Sequence, residues 1–230
     1  NNLVWSGKMN ITTLCSDMTV DSNNLSIYKI DLNGKKAVIN NDVSMDTYST
    51  YPAEIDLNKG YFIINGNLLQ PSGQMYIDGG TLEVNGDYRI QSYEKNSVTD
   101  EMEYVSSSGY LVMEKSKDIV EIAGDFIIQS NAVDRRSGPI GYYNVSKNVF
   151  KYGTMKVGGD FKQINGTNGT YGDSSNNYTC SEDHTVIFNG TQPQHIYFES
   201  LDSNFNKLVV TNNNLVWSGK MNITTLCSDM

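Results

Sequence analysis

Gly80–Gln91 reads GTLEVNGDYRIQ. Leu82 and Val84 alternate with Thr81 and Glu83, which is the period-two pattern of a strand with one face turned inward. Asn85-Gly86-Asp87 interrupts the strand, and Tyr88 and Ile90 then resume the alternation ahead of a glutamine. Two short strands joined by a tight corner cannot hold together in isolation; such a unit needs neighbours that cover it.

The neighbours are present in the same chain. Gly60–Gln70 reads GYFIINGNLLQ, Asp118–Gln129 reads DIVEIAGDFIIQ and Gly153–Gln163 reads GTMKVGGDFKQ. Weaker copies are LVWSGKM at 3–9, AVINNDV at 37–43 and TVIFNGT at 185–191. Aligned on the corner residue, the anchors are Gly7, Asn41, Gly66, Gly86, Gly124, Gly159, Gly190 and Gly219. Two residues before them stand Trp5, Ile39, Ile64, Val84, Ile122, Val157, Phe188 and Trp217, a column that is apolar throughout. Four residues before stand Leu3, Ala37, Phe62, Leu82, Val120, Met155, Val186 and Leu215. Two residues after stand Met9, Val43, Leu68, Tyr88, Phe126 and Phe161. Columns at fixed offsets predict stacked windings around one continuous core. Glycine at each corner is expected to supply a positive φ, with Asn41 as the next best residue there.

A longer period encloses the short one. Asn1–Met18 reads NNLVWSGKMNITTLCSDM, and Asn213–Met230 repeats it letter for letter, so the period is 212 residues. The expected organisation is one complete repeat over 1–212 and the first winding of the next over 213–230. The anchors divide the period into seven intervals. The fold class expected is therefore all-β: a parallel β-helix, or β-solenoid, of about seven windings per repeat with long loop insertions. No linker separates Val210 from the second LVW, so Trp217 is expected to take the place of Trp5 one period along the same axis.

The stretch TVIFNGTQPQHIYFES, followed by FNKLVV at 205–210, resembles a repeat of secreted bacterial parallel β-helix proteins. The NGD-type windings resemble the same group, large tandem-repeat surface proteins of anaerobic Gram-positive bacteria, and more distantly filamentous-haemagglutinin-like adhesins. The resemblance covers about half the chain and concerns fold rather than activity. It implies a β-helix at the cell surface or outside the cell.

Composition narrows the partners. The formal charge is −9 and the pI about 4.6, which disfavours nucleic acid and anionic membrane surfaces. No apolar run reaches the length needed to span a bilayer, so no membrane insertion is expected. Cys15, Cys180 and Cys227 form no metal-type spacing, and the two histidines, His184 and His195, stand apart. No metal, cofactor or catalytic residue is expected, and the chain reads as a non-enzyme. Cys180 and Cys227 fall in consecutive anchor windings, which allows a disulfide; two separate buried thiols are the simpler reading.

Three features carry candidate chemistry. Asp87, Asp125 and Asp160 share one column and suggest either a Ca²⁺ row or, more simply, an aspartate capping each turn. Gln70, Gln91, Gln129 and Gln163 suggest an amide ladder along the axis. Four insertions, at 44–59, 92–110, 130–152 and 164–184, are rich in Tyr, Ser, Asn and Gly. Tyr93, Tyr104, Tyr142, Tyr143, Tyr171 and Tyr178 make them candidate contact loops.

The leading expectation is a structural repeat unit of an extracellular filament or surface stalk. Its partners are then adjacent identical repeats and, laterally, neighbouring fibres. The alternative is a repeated adhesive module that binds glycan or a partner surface through the Tyr/Asn-rich loops. A polysaccharide-degrading β-helix comes third, because the NTD, GHG and RIK signatures of polygalacturonases do not occur.

Overall fold

A computed structural model describes residues 3–22, 25–46, 52–138, 141–167 and 174–227. Among these residues every regular element is a strand, and the two large sheets are parallel throughout. The ten-stranded sheet is built from strands spaced one winding apart, in strict chain order. Its run Lys36–Ile39, Tyr61–Ile64, Thr81–Val84, Ile119–Ile122, Thr154–Val157, Thr185–Phe188 and Phe205–Val210 makes the first face. The second large sheet bends at the long strand Leu25–Asp31. That strand pairs with Val43–Met45 through its first half and with Glu54–Asp56 through its second. Two further faces result, so a typical winding turns three corners: Tyr61–Ile64, then Leu68–Leu69, then Gln74–Tyr76. This is a parallel β-helix.

The inward columns follow from the alternation of side chains. Ile39, Ile64, Val84, Ile122, Val157 and Phe188 stand in one register on the first face, and each is buried. On the second face Val43, Leu68, Tyr88, Phe126, Phe161 and Ile196 make the matching column. Its aromatic rings pack in series, with centroids 5.5 Å apart for Tyr88–Phe126 and 5.5 Å for Phe126–Phe161, and Phe161 stacks at 5.3 Å on Phe198, two residues beyond Ile196. Burying a row of aromatic rings this way supplies large apolar area per winding, the dominant favourable term in the fold.

Two windings lack an anchor. Met18–Asp21 lies on the first face between Leu3–Val4 and Lys36–Ile39, and Phe205–Val210 lies beyond Thr185–Phe188. The anchor intervals therefore undercount the turns, because neither MTVD nor FNKLVV is followed by the glycine corner.

The tryptophans also depart from the expected column. On the first face Leu3, not Trp5, pairs with Val20 and so joins the Ile39 register. Trp217 lies on the second face, opposite Ile196, with its ring stacked 5.7 Å from Phe198. The described residues of the two identical segments thus occupy different seats. In the first copy Leu3–Val4 is on the first face and Lys8–Ile11 on the next. In the second copy Leu215–Gly219 is on the second face and Ile223–Leu226 on the first.

Candidate functional site

The anchor corner is the most regular polar feature of the molecule. Asp42 Oδ1 accepts from the backbone N–H of Asn67 at 2.6 Å, and Asn67 Oδ1 accepts from Asp87 N–H at 2.8 Å. The pattern continues from Asp87 to Asp125 N–H at 2.9 Å, Asp125 to Asp160 N–H at 2.8 Å and Asp160 to His195 N–H at 2.7 Å. Each side chain therefore caps the corner of the following winding, whereas the turn chemistry of the sequence suggested that it would cap its own. Beside it runs a second row, in which Asn85 Nδ2 donates to Asn65 Oδ1 at 3.0 Å and Asn65 Nδ2 to Asn40 Oδ1 at 2.9 Å.

This ladder explains the glycines. Gly66, Gly86, Gly124 and Gly159 do not have positive φ; among the anchors only Gly7 and Gly219 do. A Cβ on Gly124 would stand 2.5 Å from Asp87 Oδ1 and 2.7 Å from the Gly86 carbonyl oxygen, and the other three meet the same obstruction. Glycine is needed there for the close approach of the carboxylate or amide from the preceding winding, not for backbone freedom.

Electrostatics fit a structural row. Burial raises the carboxyl pKa of Asp125; the Asp160 N–H opposes that shift, and the neighbouring charges of Asp87 and Asp160 add to it. Arg89 lies 2.9 Å from Asp87 Oδ2 and offsets part of the negative charge. Among the described residues no group of three or more His, Cys, Asp or Glu side chains could hold a metal ion.

The glutamine column is less regular than its spacing suggested. Gln91 Nε2 donates to Gln129 Oε1 at 2.9 Å, the one link of the expected ladder. Gln70 instead donates to the Gly73 and Tyr110 carbonyls and accepts from Tyr88 Oη at 2.6 Å, and Gln163 donates to Asn177. The reason is spacing: Gln70 and Gln163 sit four residues past their anchors, but Gln91 and Gln129 sit five past theirs.

The candidate contact loops divide. Ser92–Lys95 and Met102–Val105 form an antiparallel hairpin, with Tyr93 opposite Tyr104, ring centroids 4.8 Å apart and both side chains exposed. Arg89 lies over the Tyr104 ring at 4.8 Å. A groove of about 490 Å³ runs beneath this hairpin, lined by Asp42, Asn67, Asp87, Arg89, Tyr93 and Tyr104 among others. The acidic tip of this hairpin is held internally: Lys95 pairs with Asp100 at 2.6 Å. A second hairpin, Val133–Gly138 with Gly141–Ser146, sets Tyr142 opposite Ser137 and Tyr143 opposite Arg136. The side chains of those two tyrosines lie outside what the structure describes, and Tyr171 lies outside the described residues.

Tyr178 is no contact residue. It is fully buried, packed 4.3 Å from Phe150 and 4.8 Å from Phe161 by ring centroid, with its hydroxyl 3.5 Å from Met155 Sδ. The 164–184 segment returns inward at this point and closes the core. Likewise 44–59 is not a loop on its whole length, since it contains part of the strand Val43–Met45 and all of Glu54–Asp56. The three cysteines are free; Cys180 is buried, while Cys15 and Cys227 are exposed, which differs from the pair of buried thiols expected. Burial pushes the Cys180 thiol up to about 12.

Two buried groups escaped the sequence reading. His184 is buried with its ring 5.6 Å from that of Phe150, Nδ1 at 2.9 Å from the Tyr152 carbonyl oxygen and Nε2 without a partner. The carbonyl fixes Nδ1 as the protonated nitrogen, and burial lowers the ring's pKa to about 4. Asp118, also buried, accepts from the N–H groups of Gly79 and Lys115, tying two windings at the third corner. Both stand six residues before their anchors, where the other windings quoted above carry Gly60, Gly80 and Gly153.

Comparison with protein-family models, with curated proteins and with solved structures returns no match.

Proposed function

We propose that the chain is a structural repeat unit of a long extracellular filament or surface-protein stalk, without catalysis, extended end to end by continuation of the β-helix. One observation carries the reading. The inward columns and the Asp/Asn ladder run through successive windings without a break, and the segment that opens the repeat recurs unchanged after one period. In a solenoid each winding touches only its neighbours, so added copies lengthen one core rather than build separate ones. Electron microscopy of a chain carrying several successive copies of residues 1–212 tests this. Straight rods whose length grows in proportion to copy number support it; strings of beads joined by hinges refute it.

A second reading is favoured by the hairpin groove. Tyr93 and Tyr104 present exposed rings beside Arg89, Asp87 and Asn67, a mixture of stacking surface and hydrogen-bonding groups that suits a saccharide. Repetition every 212 residues would then add avidity to a weak site. A glycan array probed with the wild-type chain and with Tyr104→Ala separates this from a purely structural role.

A further inference from the structure

The two seats of the duplicated segment cannot both exist at a junction between repeats. Ile223–Leu226 occupies the first face directly above Phe205–Val210, with Leu226 beside Leu208. The next first-face strand in a tandem chain is the one equivalent to Met18–Asp21, and in sequence Met230 is the counterpart of Met18. Only three residues separate Leu226 from Met230. The shortest winding seen on this face runs from Leu3 to Val20, a span of 17 residues. Two parallel first-face strands therefore cannot follow each other across so short a link.

The columns decide which strand gives way. Ile223–Leu226 brings one apolar residue, Leu226, to the Leu208 column, and two residues on in the sequence stands Ser228, so this seat offers nothing apolar to the Val210 column. The opening seat fares no better: Leu3 serves the Ile39 register, and two residues earlier stands Asn1. Met18–Asp21 supplies both columns, with Met18 opposite Ala37 and Val20 opposite Ile39. The winding before it is also complete. Leu14 is buried at the corner, and its N–H donates to the Asp31 carbonyl at 2.8 Å, as Leu32 N–H does to Asp56 and Leu57 N–H to Tyr76 in later windings.

We propose that, at each junction of a tandem array, the first-face seat above Phe205–Val210 is taken by Met18–Asp21 of the following repeat. Ile223–Leu226 then leaves that seat, and Leu226 moves to the buried corner that Leu14 occupies in the first copy. The inference rests on the reading that repeats stack as one continuous shaft. It gives eight first-face strands per period, those of Val20, Ile39, Ile64, Val84, Ile122, Val157, Phe188 and Val210, before Val20 recurs. At ~4.8 Å per winding the axial rise is about 38 Å. The partner surface of the repeat is thus the upper edge of Phe205–Val210, and its occupant is one defined strand of the next copy.

Cross-linking distinguishes the seats. Val209 is one residue beyond the Leu208–Leu226 pair, so in the seat described here its neighbour is Cys227. In the proposed junction its neighbour is Thr19 of the next copy, because Thr19 shares the register of Val38 and, through successive strands, of Val209. Neighbouring strand positions at ~4.8 Å lie within disulfide range. In the 230-residue chain Val209→Cys should oxidise to a bond with Cys227, which establishes that the position reacts. A two-repeat chain then carries Val209→Cys in its first copy and Thr19→Cys in its second, and is oxidised, digested and read by mass spectrometry. The expected product joins position 209 to position 19 of the second copy, with the bond to Cys227 lost. Retention of the Cys227 bond overturns the proposed seat and leaves the shaft reading standing. Absence of both bonds overturns the seat and the continuous shaft together.

Discussion

Gly124→Ala tests the ladder at its tightest point. The new methyl would stand 2.5 Å from Asp87 Oδ1, 2.7 Å from the Gly86 carbonyl oxygen and 2.8 Å from the Gly86 carbonyl carbon. The carboxylate can swing away, but it then leaves the Asp125 N–H that it now holds at 2.9 Å. A hydrogen bond to a charged group contributes about 1.5–3 kcal/mol. The Gly86 carbonyl cannot swing independently, because it also accepts from Gly124 N–H at 3.0 Å, and forced packing shifts cost about 1–3 kcal/mol. The expected destabilisation is about 3–5 kcal/mol. The assay is urea denaturation of the wild type, Gly124→Ala, Asp87→Ala and the double variant. Since the alanine at 124 already breaks the ladder bond, the double variant should be less damaged than the sum of the singles, by about 1.5–3 kcal/mol. A loss under about 1 kcal/mol for Gly124→Ala, or simple additivity in the cycle, would show that glycine stands there for another reason.

Val84→Asp or Ile122→Asp should destabilise the chain by about 3–5 kcal/mol, because each places an unpaired charge in a buried column; an unchanged melting temperature for either would contradict the column. Tyr178→Ala should cost about 3–5 kcal/mol by leaving a cavity among Phe126, Phe150 and Phe161, whereas the exposed Tyr104→Ala should cost little; equal effects in thermal melting would refute the division of the tyrosines. His184 contributes stability that is present above pH 6.5, the ordinary value of its ring, and is lost as the pH falls towards 4, where the folded protein binds the proton. The loss amounts to about 3 kcal/mol, and His184→Asn should shrink it in denaturation measured across that window. Asp56, Asp118 and Asp125, raised chiefly by burial, act in the opposite sense, since the folded state takes up their protons first as acid is added.

The inward columns were legible because strand alternation is a local property: Phe62 and Ile64, Leu82 and Val84, Val120 and Ile122 announce their side of the sheet without reference to any neighbour. What a corner residue is for was not legible, since the obstruction at Gly124 comes from Asp87, a full winding away. The same limit hid Tyr178, which lies in a segment with the composition of a surface loop and is drawn inward by rings supplied from five strands. The windings Met18–Asp21 and Phe205–Val210 were missed by an anchor that they do not carry, although their apolar residues hold the correct parity. The identical ends mislead in another way. Sequence identity fixes what a segment can offer, but the neighbouring winding chooses which of its residues face inward, and a two-residue slip on the second face keeps that parity intact.

The corner ladder has a direction. Every acceptor belongs to the earlier winding and every donor to the later one, from Asp42 through Asn67, Asp87 and Asp125 to Asp160. The two ends of a stack are therefore chemically unlike: one presents backbone N–H groups in want of an acceptor, the other presents side-chain oxygens ready to receive. A chain synthesised from its N-terminus meets each new corner with its receptor already in place, so ordering can advance winding by winding behind the point of emergence. Two stacks brought head to head or tail to tail would set like groups against like, which makes the molecule a one-way template.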